Sequence, residues 1–260
     1  MDLSIVVPCY NEEQNIPLIL KRFADVMEEN VELILVNNGS TDNSSDVFDR
    51  ELRKSKYSFV RLVEVKKNVG YGHGILSGLK QAKGKFLAWT HADMQTDPGD
   101  VLKGYKLIKN KSNSVLKGKR IKRKLGETLF TFGMSVIASI VLRKMLFDVN
   151  AQPKIFPKEF YEKMLNAPDD FSLDLYWLYL AKKEGYEVLS LPVYFKDRIY
   201  GESKWAFSFS SRLRTILRTI RYIFALKSHL TSKRGLKLCI ELIELMSGRK
   251  FLKSLVWRLI

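Results

Sequence analysis

The segment FLAWTHADMQTDP, residues 86–98, contains the side chains whose types and spacing most clearly suggest chemistry. A short apolar run stops at His91, and Asp93 and Gln95 follow at alternate positions. A carboxylate and an amide oxygen at the end of a strand suit a hard divalent cation that also binds a diphosphate. The segment is also typical of a polar turn, because TDPG favours tight turns. The residue types alone therefore leave a metal site and a turn both open.

The elements before this segment must position it. Four apolar runs predict strands, at residues 3–8, 31–37, 59–65 and 85–90. Amphipathic patterns between them predict helices at 16–29, 40–52 and 71–84, the second with Ser40 or Thr41 as its N-cap. This alternation is typical of an α/β domain with a largely parallel sheet. Since ligands bind outside the carboxyl ends of such strands, we expect the site where the strand ends converge.

The second half of the sequence changes character. An apolar run at 129–142 predicts a helix too short to cross a bilayer, and residues 151–195 predict strands and helices that return to the core. From residue 205 the pattern is basic and amphipathic. Its apolar face comprises Leu213, Ile216, Leu217, Ile220 and Phe224, and its basic face Arg214, Arg218 and Arg221. We expect a domain at 1–204, with a short interfacial helix near 129–144, and a basic helical segment at 205–260.

Charge and cysteine content limit the classes of protein. The net charge is +16, and most of it lies in two blocks, residues 101–124 and 205–260. Such blocks are typical of nucleic-acid patches, contacts with anionic membranes, or solvated faces. Cys9 and Cys239 form no disulfide framework, no secretory signal opens the sequence, and no apolar run reaches transmembrane length. We expect a cytoplasmic protein that is peripherally associated with the inner face of the membrane.

Five segments together form a signature that is more specific than any one of them. They are SIVVPCYNEEQNI, LILVNNGSTDNS, NVGYGHGILSGLKQAKGKFLAWTHADMQTDP, VLKGKR and YFKDRIYGESKW. In order and spacing they resemble family 2 glycosyltransferases, most closely the dolichyl- and polyprenyl-phosphate mannosyl- and glucosyltransferases. The resemblance covers residues 3–205 and implies a GT-A fold, a Rossmann-like α/β domain that binds a nucleotide-diphosphate sugar through Mg²⁺ or Mn²⁺.

The resemblance assigns donor-binding roles residue by residue. Asp93 and Gln95 match the metal and diphosphate residues. The positions that match nucleotide-sugar binding are Pro8, Tyr10, Glu12, Asn37, Asn38, Lys66, Asn68, Gly70 and Ala92. Asn37 and Asn38 replace aspartates, the first of which usually reads the base. Because an amide adds a donor that a carboxylate lacks, the base preference stays open.

His91 replaces the first acid of the Asp-Ala-Asp that the resemblance leads us to expect. A neutral imidazole is a poorer ligand for Mg²⁺ and an acceptable one for Mn²⁺. Three outcomes fit: a site that prefers Mn²⁺ with His91 as a ligand, a histidine that bonds ribose or phosphate, and an inactive site. We favour a working site, since Asp93 and Gln95 are retained. The expected cofactor is Mg²⁺ or Mn²⁺, with Mn²⁺ favoured.

On the acceptor side, the resemblance places Arg120 and Arg198, with Ser203 and Lys204, around the phosphate of a lipid. A phosphate needs cations to neutralise its charge, and arginine offers a bidentate fork. A phosphate monoester is largely ionised at neutral pH and needs little help from a base. A sugar hydroxyl would instead need a general base. Four aspartates could supply one, namely Asp148, Asp169, Asp170 and Asp174.

The leading hypothesis is a metal-dependent, inverting transferase that moves a hexose from a nucleotide-diphosphate sugar to a dolichyl- or undecaprenyl-type phosphate. Asp93, Arg120 and Arg198 are its predicted catalytic residues. One alternative is a transferase that extends a saccharide of a cell-surface polysaccharide or lipopolysaccharide, and another is a non-catalytic sugar-nucleotide-binding scaffold. The expected partners are the donor, the lipid phosphate and an anionic membrane surface, with a homo-oligomer or membrane subunit left open. We expect no nucleic acid, because no nucleic-acid motif accompanies the basic blocks.

Overall fold

The computed structural model describes the backbone of residues 1–122, 125–200 and 209–228, and the side chains of these ranges except 125–130, 209–215 and 228. The chain divides into two units. Unit 1 comprises Met1–Phe132 and Asp148–Glu202, and unit 2 comprises Gly133–Phe147 with the C-terminal segment from Ser203. The predicted site residues Ser203 and Lys204 lie outside the described residues, as do 205–208 and 229–260 of the predicted basic segment.

Unit 1 is built on a seven-stranded sheet. The strands are β1 Leu3–Cys9, β2 Val31–Asn38, β3 Val60–Val65, β4 Phe86–Trp89, β5 Ser114–Ile121, β6 Lys154–Pro157 and β7 Glu187–Tyr194. Their spatial order is β3-β2-β1-β4-β6-β5-β7. β6 runs antiparallel to both of its neighbours, and the other pairs are parallel. The predicted α/β class with a mostly parallel sheet is confirmed.

The helices follow the predicted alternation. They are α1 Ile16–Val26, α2 Ser44–Leu52, α3 Tyr71–Leu79, α4 Gly99–Ile108, α5 Leu125–Leu142, α6 Lys158–Glu162, α7 Leu173–Lys183 and α8 Phe209–Ser228. β1 and β2 are buried along almost their whole length, as continuous apolar runs in a covered parallel sheet must be. α1 buries Ile16, Ile19, Leu20 and Phe23, which recur at helical spacing.

The predicted N-cap of α2 is wrong. The helix begins at Ser44, four residues after Ser40, and its N-cap residue Asn43 makes no capping bond with its side chain. The hydroxyl of Ser40 instead accepts from the Asn11 backbone N–H at 3.1 Å. A carboxylate oxygen of Asp42 accepts from the Ser44 N–H at 3.0 Å, which satisfies a first-turn donor.

α5 is longer than the predicted helix, because it begins at Leu125 rather than at residue 129. Within the described ranges, no helix is both long enough and apolar enough to cross a membrane. In unit 2, α8 covers the predicted amphipathic run, and Arg218 and Arg221 of its predicted basic face are exposed. The described members of the predicted apolar face are half-buried, namely Ile216, Leu217, Ile220 and Phe224, whereas the buried residue is Ile223, which the prediction did not include. The side chains of Leu213 and Arg214 lie outside the described residues. The interfacial location of either helix stays a prediction.

An aromatic cluster fills the core of unit 1 between β4, β6, α6 and α7. Trp89, Phe156, Phe160 and Trp177 meet edge to face, with ring centroids 5.3–6.0 Å apart. Edge-to-face pairs of this kind contribute stability beyond the area they bury. Trp177 is fully buried and contacts the other three rings.

We expect Trp177→Ala to lower the free energy of unfolding by about 3–5 kcal/mol, because it leaves a cavity that the other rings cannot fill. Urea unfolding followed by circular dichroism measures the change. Leu165→Ala is the matched control, since Leu165 is 84% exposed, and it should change stability by under about 0.5 kcal/mol. Equal losses in the two variants would contradict this account of the core.

Two lysines are buried side by side in the sheet, which apolar strand patterns do not predict. Lys117 on β5 pairs in register with Lys154 on β6. The Lys154 ammonium donates to the carbonyls of Val149 and Ala151 and lies 3.8 Å from Asp174 Oδ1. Burial lowers the pKa of both lysines, and the neighbouring Lys154 charge helps to lower that of Lys117 to about 8.

The lowered pKa of Lys117 gives stability a definite pH dependence. Between pH 8 and pH 10.5 the unfolded chain binds more protons at this residue, so raising the pH relieves the cost of burying the charge. We expect Lys117→Met to be more stable than the wild type at pH 7, by about 2 kcal/mol after the loss of hydrogen bonds. The difference should shrink at pH 10.

Urea unfolding at pH 7 and pH 10 tests this expectation, with the exposed Lys109→Met as the control variant. A difference between Lys117→Met and the wild type that is the same at both pH values would show that the ammonium is not destabilised by burial.

Candidate active site

Three loops meet at the carboxyl edge of the sheet. Cys9, at the end of β1, pairs in register with Asn37 near the end of β2. β4 ends before it reaches this edge, at Trp89, which pairs with Val6 in the middle of β1. The Thr90 N–H then donates to the Val6 carbonyl at 3.1 Å. The chain after β4 therefore passes beside the end of β1, and the sequence prediction of convergent strand ends matches this geometry.

The loops after β1 and β2 are tied to each other. Asn11 Oδ1 accepts from the Thr41 N–H at 2.8 Å, and Ser40 Oγ accepts from the Asn11 N–H. The Glu12 N–H donates to Ser44 Oγ at 3.0 Å. Asn11 has a φ of 57°, in the left-handed region where asparagine is favoured among non-glycine residues. These bonds hold the loops after β1 and β2 in a fixed arrangement along the edge of the sheet, where they form a wall of the site.

The two asparagines that stand in place of aspartates differ in their contacts. Asn37, near the end of β2, donates to Ser45 Oγ on α2 at 2.9 Å and accepts from the Ser40 N–H at 3.3 Å. Asn38 donates to the Gly70 carbonyl at 3.0 Å. Its buried Oδ1 has no hydrogen-bond partner among the described residues. Asn38 is only 2% exposed, and Gly74 of α3 packs closely against its amide.

Asp93, Gln95 and Arg198 form the centre of the site. Asp93 is only 6% exposed, and its Oδ2 lies 3.0 Å from Arg198 Nη2. Arg198 Nε donates to Gln95 Oε1 at 3.3 Å. Gln95 also holds the segment that carries Arg198. The Lys196 N–H donates to the Gln95 backbone carbonyl at 2.8 Å, and Gln95 Nε2 donates to the Lys196 carbonyl at 3.0 Å.

His91 lies in an aromatic stack. Its ring is 5.8 Å from that of Tyr71, which stacks on Phe171 at 4.9 Å. Burial lowers the pKa of His91, although the negative charges of Asp93 and Asp174 oppose the shift. The imidazole is therefore neutral at neutral pH and has a lone pair to offer.

Buried polar side chains form hydrogen bonds with Tyr71 and with the residues packed next to it. Asp174 Oδ1 accepts from Trp89 Nε1 at 3.3 Å and from Gln152 Nε2 at 3.0 Å. Gln152 Nε2 also donates to the Tyr71 hydroxyl at 3.2 Å. The sequence reasoning missed Gln152 and Lys154; a lysine at the start of the apolar strand KIFP is a signal for Lys154.

Arg120, which the sequence analysis assigns to the acceptor phosphate, is paired with Asp148. Its Nε and Nη2 donate to Asp148 Oδ1 at 2.8 and 2.6 Å, and its backbone N–H donates to Oδ2 at 2.8 Å. Burial alone would raise the pKa of Asp148, but the charge and hydrogen bonds of Arg120 outweigh it and lower the pKa. Asp148 and the buried Asp174 are thus both engaged by protein cations and are poor candidates for a general base.

Asp169 and Asp170 lie against the start of α3. The His73 N–H donates to the Asp169 carbonyl at 2.8 Å. A Cβ on Gly72 would lie 2.3 Å from the Pro168 carbonyl oxygen, so the glycine is required for this close approach. The Asp169 side chain is 58% exposed, and a carboxylate oxygen of Asp170 accepts from the Ser172 N–H.

The remaining predicted residues are distributed over the same edge. Pro8 lies in β1, Tyr10 and Glu12 follow it, Lys66, Asn68 and Gly70 lie between β3 and α3, and Ala92 follows β4. Burial raises the pKa of Glu12, and the charge of Asp93 contributes, which places these two carboxylates near each other. Lys66 is exposed, and Ala92 is buried.

The donor set fits a divalent cation in part. Among the described side chains, no three histidine, cysteine, aspartate or glutamate residues are grouped as a metal site. Asp93 Oδ2 and Gln95 Oε1 nevertheless approach the same cationic group, the guanidinium of Arg198. Two hard oxygens that converge on one cation can hold Mg²⁺ or Mn²⁺ when a diphosphate supplies further ligands.

Two curated relatives are similar in sequence. The undecaprenyl-phosphate 4-deoxy-4-formamido-L-arabinose transferase of Photorhabdus laumondii subsp. laumondii is 24% identical over 212 residues, which cover 79% of this chain and 63% of the relative. The dodecaprenyl-phosphate galacturonate synthase of Rhizobium johnstonii is 33% identical over 129 residues, which cover 48% of this chain and 38% of the relative. The chain thus spans less than two thirds of either relative's length.

A solved structure shares the fold. A mannosyltransferase from Pyrobaculum calidifontis, in complex with GDP-Man and Mn²⁺, has a TM-score of 0.60 at 18% identity, over 96% of this chain and 79% of that one. The fold is that of GT-A glycosyltransferases, as predicted. A sequence model described as "Glycosyl transferase family 2" matches residues 4–171, well over half of the chain. This chain therefore belongs to glycosyl transferase family 2.

Proposed function

We propose that this protein is a metal-dependent, inverting glycosyltransferase that moves a hexose from a nucleotide-diphosphate sugar to a polyprenyl phosphate. One observation carries the proposal: the two oxygens suited to a diphosphate-bound cation, on Asp93 and Gln95, contact Arg198, the cation suited to an acceptor phosphate. Donor and acceptor must meet at close range for transfer. The names of the two relatives, which specify undecaprenyl and dodecaprenyl phosphate, support this acceptor.

On the donor side, Asp93 and Gln95 would hold Mg²⁺ or Mn²⁺, which neutralises the charge of the departing nucleoside diphosphate. The tied loops form a preorganised wall for the nucleoside, and Asn38 lies at the end of β2 beside them. The other donor-binding residues that we propose are Pro8, Tyr10, Glu12, Asn37, Lys66, Asn68, Gly70 and Ala92. His91, neutral and beside Asp93, favours Mn²⁺ over Mg²⁺.

On the acceptor side, Arg198 and Arg120 would neutralise the lipid phosphate and orient one of its oxygens toward the anomeric carbon. We propose that Ser203 and Lys204 complete the acceptor site. The oxygen would attack opposite the leaving diphosphate, which inverts the anomeric configuration. A phosphate needs little help from a base, which agrees with Asp148 and Asp174 both being engaged by cations.

We expect Asp93→Asn to lower transfer of sugar to undecaprenyl phosphate by about 100-fold or more, because the variant loses the charge that holds the cation. The measurement is a panel of radiolabelled nucleotide-diphosphate sugars, with Mg²⁺ and Mn²⁺ tested separately and lipid-linked product extracted into organic solvent. Chelation with EDTA should remove the activity, and Mn²⁺ should restore it better than Mg²⁺.

The matched control is Asp25→Asn, which changes an exposed aspartate on α1 and should keep full activity. Unchanged transfer in Asp93→Asn, or transfer that survives EDTA, would contradict the metal-dependent mechanism.

A second candidate is transfer to a saccharide hydroxyl, which the exposure of Asp169 favours because that carboxylate is open to a substrate. The same donor panel tests it with a saccharide acceptor. Loss of saccharide transfer in Asp169→Asn, with no transfer to the lipid phosphate by the wild type, would select this candidate.

We also propose that the protein binds the cytosolic face of an anionic membrane through unit 2. Ile140 and Met145 are each 72% exposed, and Arg143 and Lys144 between them are exposed as well. Arg218 and Arg221 are exposed on α8. Exposed apolar side chains next to cations are suited to the headgroup layer, where they bury apolar surface and approach anionic lipids.

We expect the double variant Arg218→Glu/Arg221→Glu to bind vesicles containing phosphatidylglycerol about 30-fold more weakly or worse, since each cation contributes about 1 kcal/mol. Co-sedimentation with vesicles measures binding, and the wild-type affinity should fall as salt rises. The control variant Arg53→Glu/Lys109→Glu makes the same charge change at exposed positions of unit 1. Equal losses for the two double variants would reject unit 2 as the membrane surface.

A further inference from the structure

We propose that Arg198 competes with the metal ion for Asp93 and Gln95, so that its guanidinium becomes available to the acceptor phosphate only after the metal–donor complex has bound. This inference rests on the proposed function. It assigns Arg198 a second role, as the residue that sets the order in which the two substrates bind.

The competition follows from shared atoms. Arg198 Nη2 lies 3.0 Å from Asp93 Oδ2, and Arg198 Nε lies 3.3 Å from Gln95 Oε1. These are the two oxygens that would ligate the cation. A guanidinium and a divalent cation repel each other at such short range, so both cannot occupy this position together. Metal binding must turn the guanidinium away.

Arg198 is the resident counter-charge for Asp93. A carboxylate that is only 6% exposed is costly to leave unpaired. In the absence of metal, the ion pair with Arg198 therefore stabilises the site, and a metal ion alone must replace an existing partner.

The diphosphate changes this balance. Once a nucleoside diphosphate is bound with the metal, its oxygens offer Arg198 a new anionic partner beside the old one. The backbone bonds between Lys196 and Gln95 do not involve the guanidinium, so they can hold the segment in place while the side chain rotates. The turned guanidinium stays within a side-chain length of Asp93, where the acceptor phosphate must arrive.

His91 sharpens the competition in this chain. A histidine stands two residues before Asp93, so that position contributes no negative charge. A carboxylate there would help to hold both the metal and Arg198. Because position 91 supplies no carboxylate, Asp93 can pair with the metal ion only when it loses Arg198.

The test measures Mn²⁺ binding directly, by the electron paramagnetic resonance signal of free Mn²⁺, with no nucleotide present. We expect Arg198→Met to bind Mn²⁺ about tenfold more tightly than the wild type, because Asp93 and Gln95 are freed. Arg198→Lys, which keeps the charge, should stay within about threefold of the wild type. With UDP or GDP added, the advantage of Arg198→Met should disappear, since the diphosphate engages the displaced arginine.

Two variants serve as controls. Lys196→Met removes a neighbouring cation that contacts Gln95 through its backbone N–H and carbonyl, and it should leave Mn²⁺ affinity unchanged. Asp93→Asn should weaken Mn²⁺ binding in every condition. Thermal melting of each variant shows that it is folded.

A second measurement follows the acceptor side with farnesyl phosphate as the probe. The wild type should bind it about tenfold more tightly with Mn²⁺ and UDP or GDP than without them, and Arg198→Met should lose this coupling. Mn²⁺ affinity in Arg198→Met that equals or falls below the wild-type value would overturn the competition, even if sugar transfer is observed. Tighter Mn²⁺ binding without any transfer would uphold the competition and reject the proposed function.

Discussion

Asp93 places the strongest constraint on this structure, because a carboxylate buried at the edge of a sheet requires a positive charge beside it. The positive charge is that of Arg198, which follows β7, the last strand of the sheet in sequence. The same requirement gives the site its chemistry, since a place built to stabilise one cation can stabilise another. The neighbouring β1 and β2 loops add a fixed wall, so that only the charged groups need to rearrange.

Charge pairing also separates the two sides of the site. The antiparallel β6 brings Lys154 to within 3.8 Å of Asp174, and the Nε and Nη2 of Arg120 both donate to Asp148 Oδ1. Arg120 lowers the pKa of Asp148, which makes that carboxylate a weak base, and Asp174 is buried against Lys154. A site whose nearest aspartates are neutralised in this way suits an acceptor that arrives already ionised, such as a phosphate monoester.

Sequence reasoning recovered the parts of the fold that local patterns determine. The apolar runs of β1 and β2 and the periodicity of α1 are visible within single segments, and the strand ends converge because parallel topology requires it. The cap of α2 was predicted wrongly because Ser40 is engaged by Asn11, a contact between separate loops. The burial of Lys117 and Lys154 was also missed, since it depends on which strands become neighbours.

The site residues divide in the same way. The oxygens of Asp93 and Gln95 could be proposed from their spacing, but their contact with Arg198 joins residues about a hundred positions apart, which no local pattern encodes. His91 shows why the difference matters. In the sequence it is a substitution that permits three interpretations, whereas in the structure burial lowers the pKa of its ring, which lies 5.8 Å from that of Tyr71. A histidine in place of a carboxylate removes a negative charge two residues before Asp93, so Asp93 is the buried carboxylate of this segment and Arg198 is the cation that balances it.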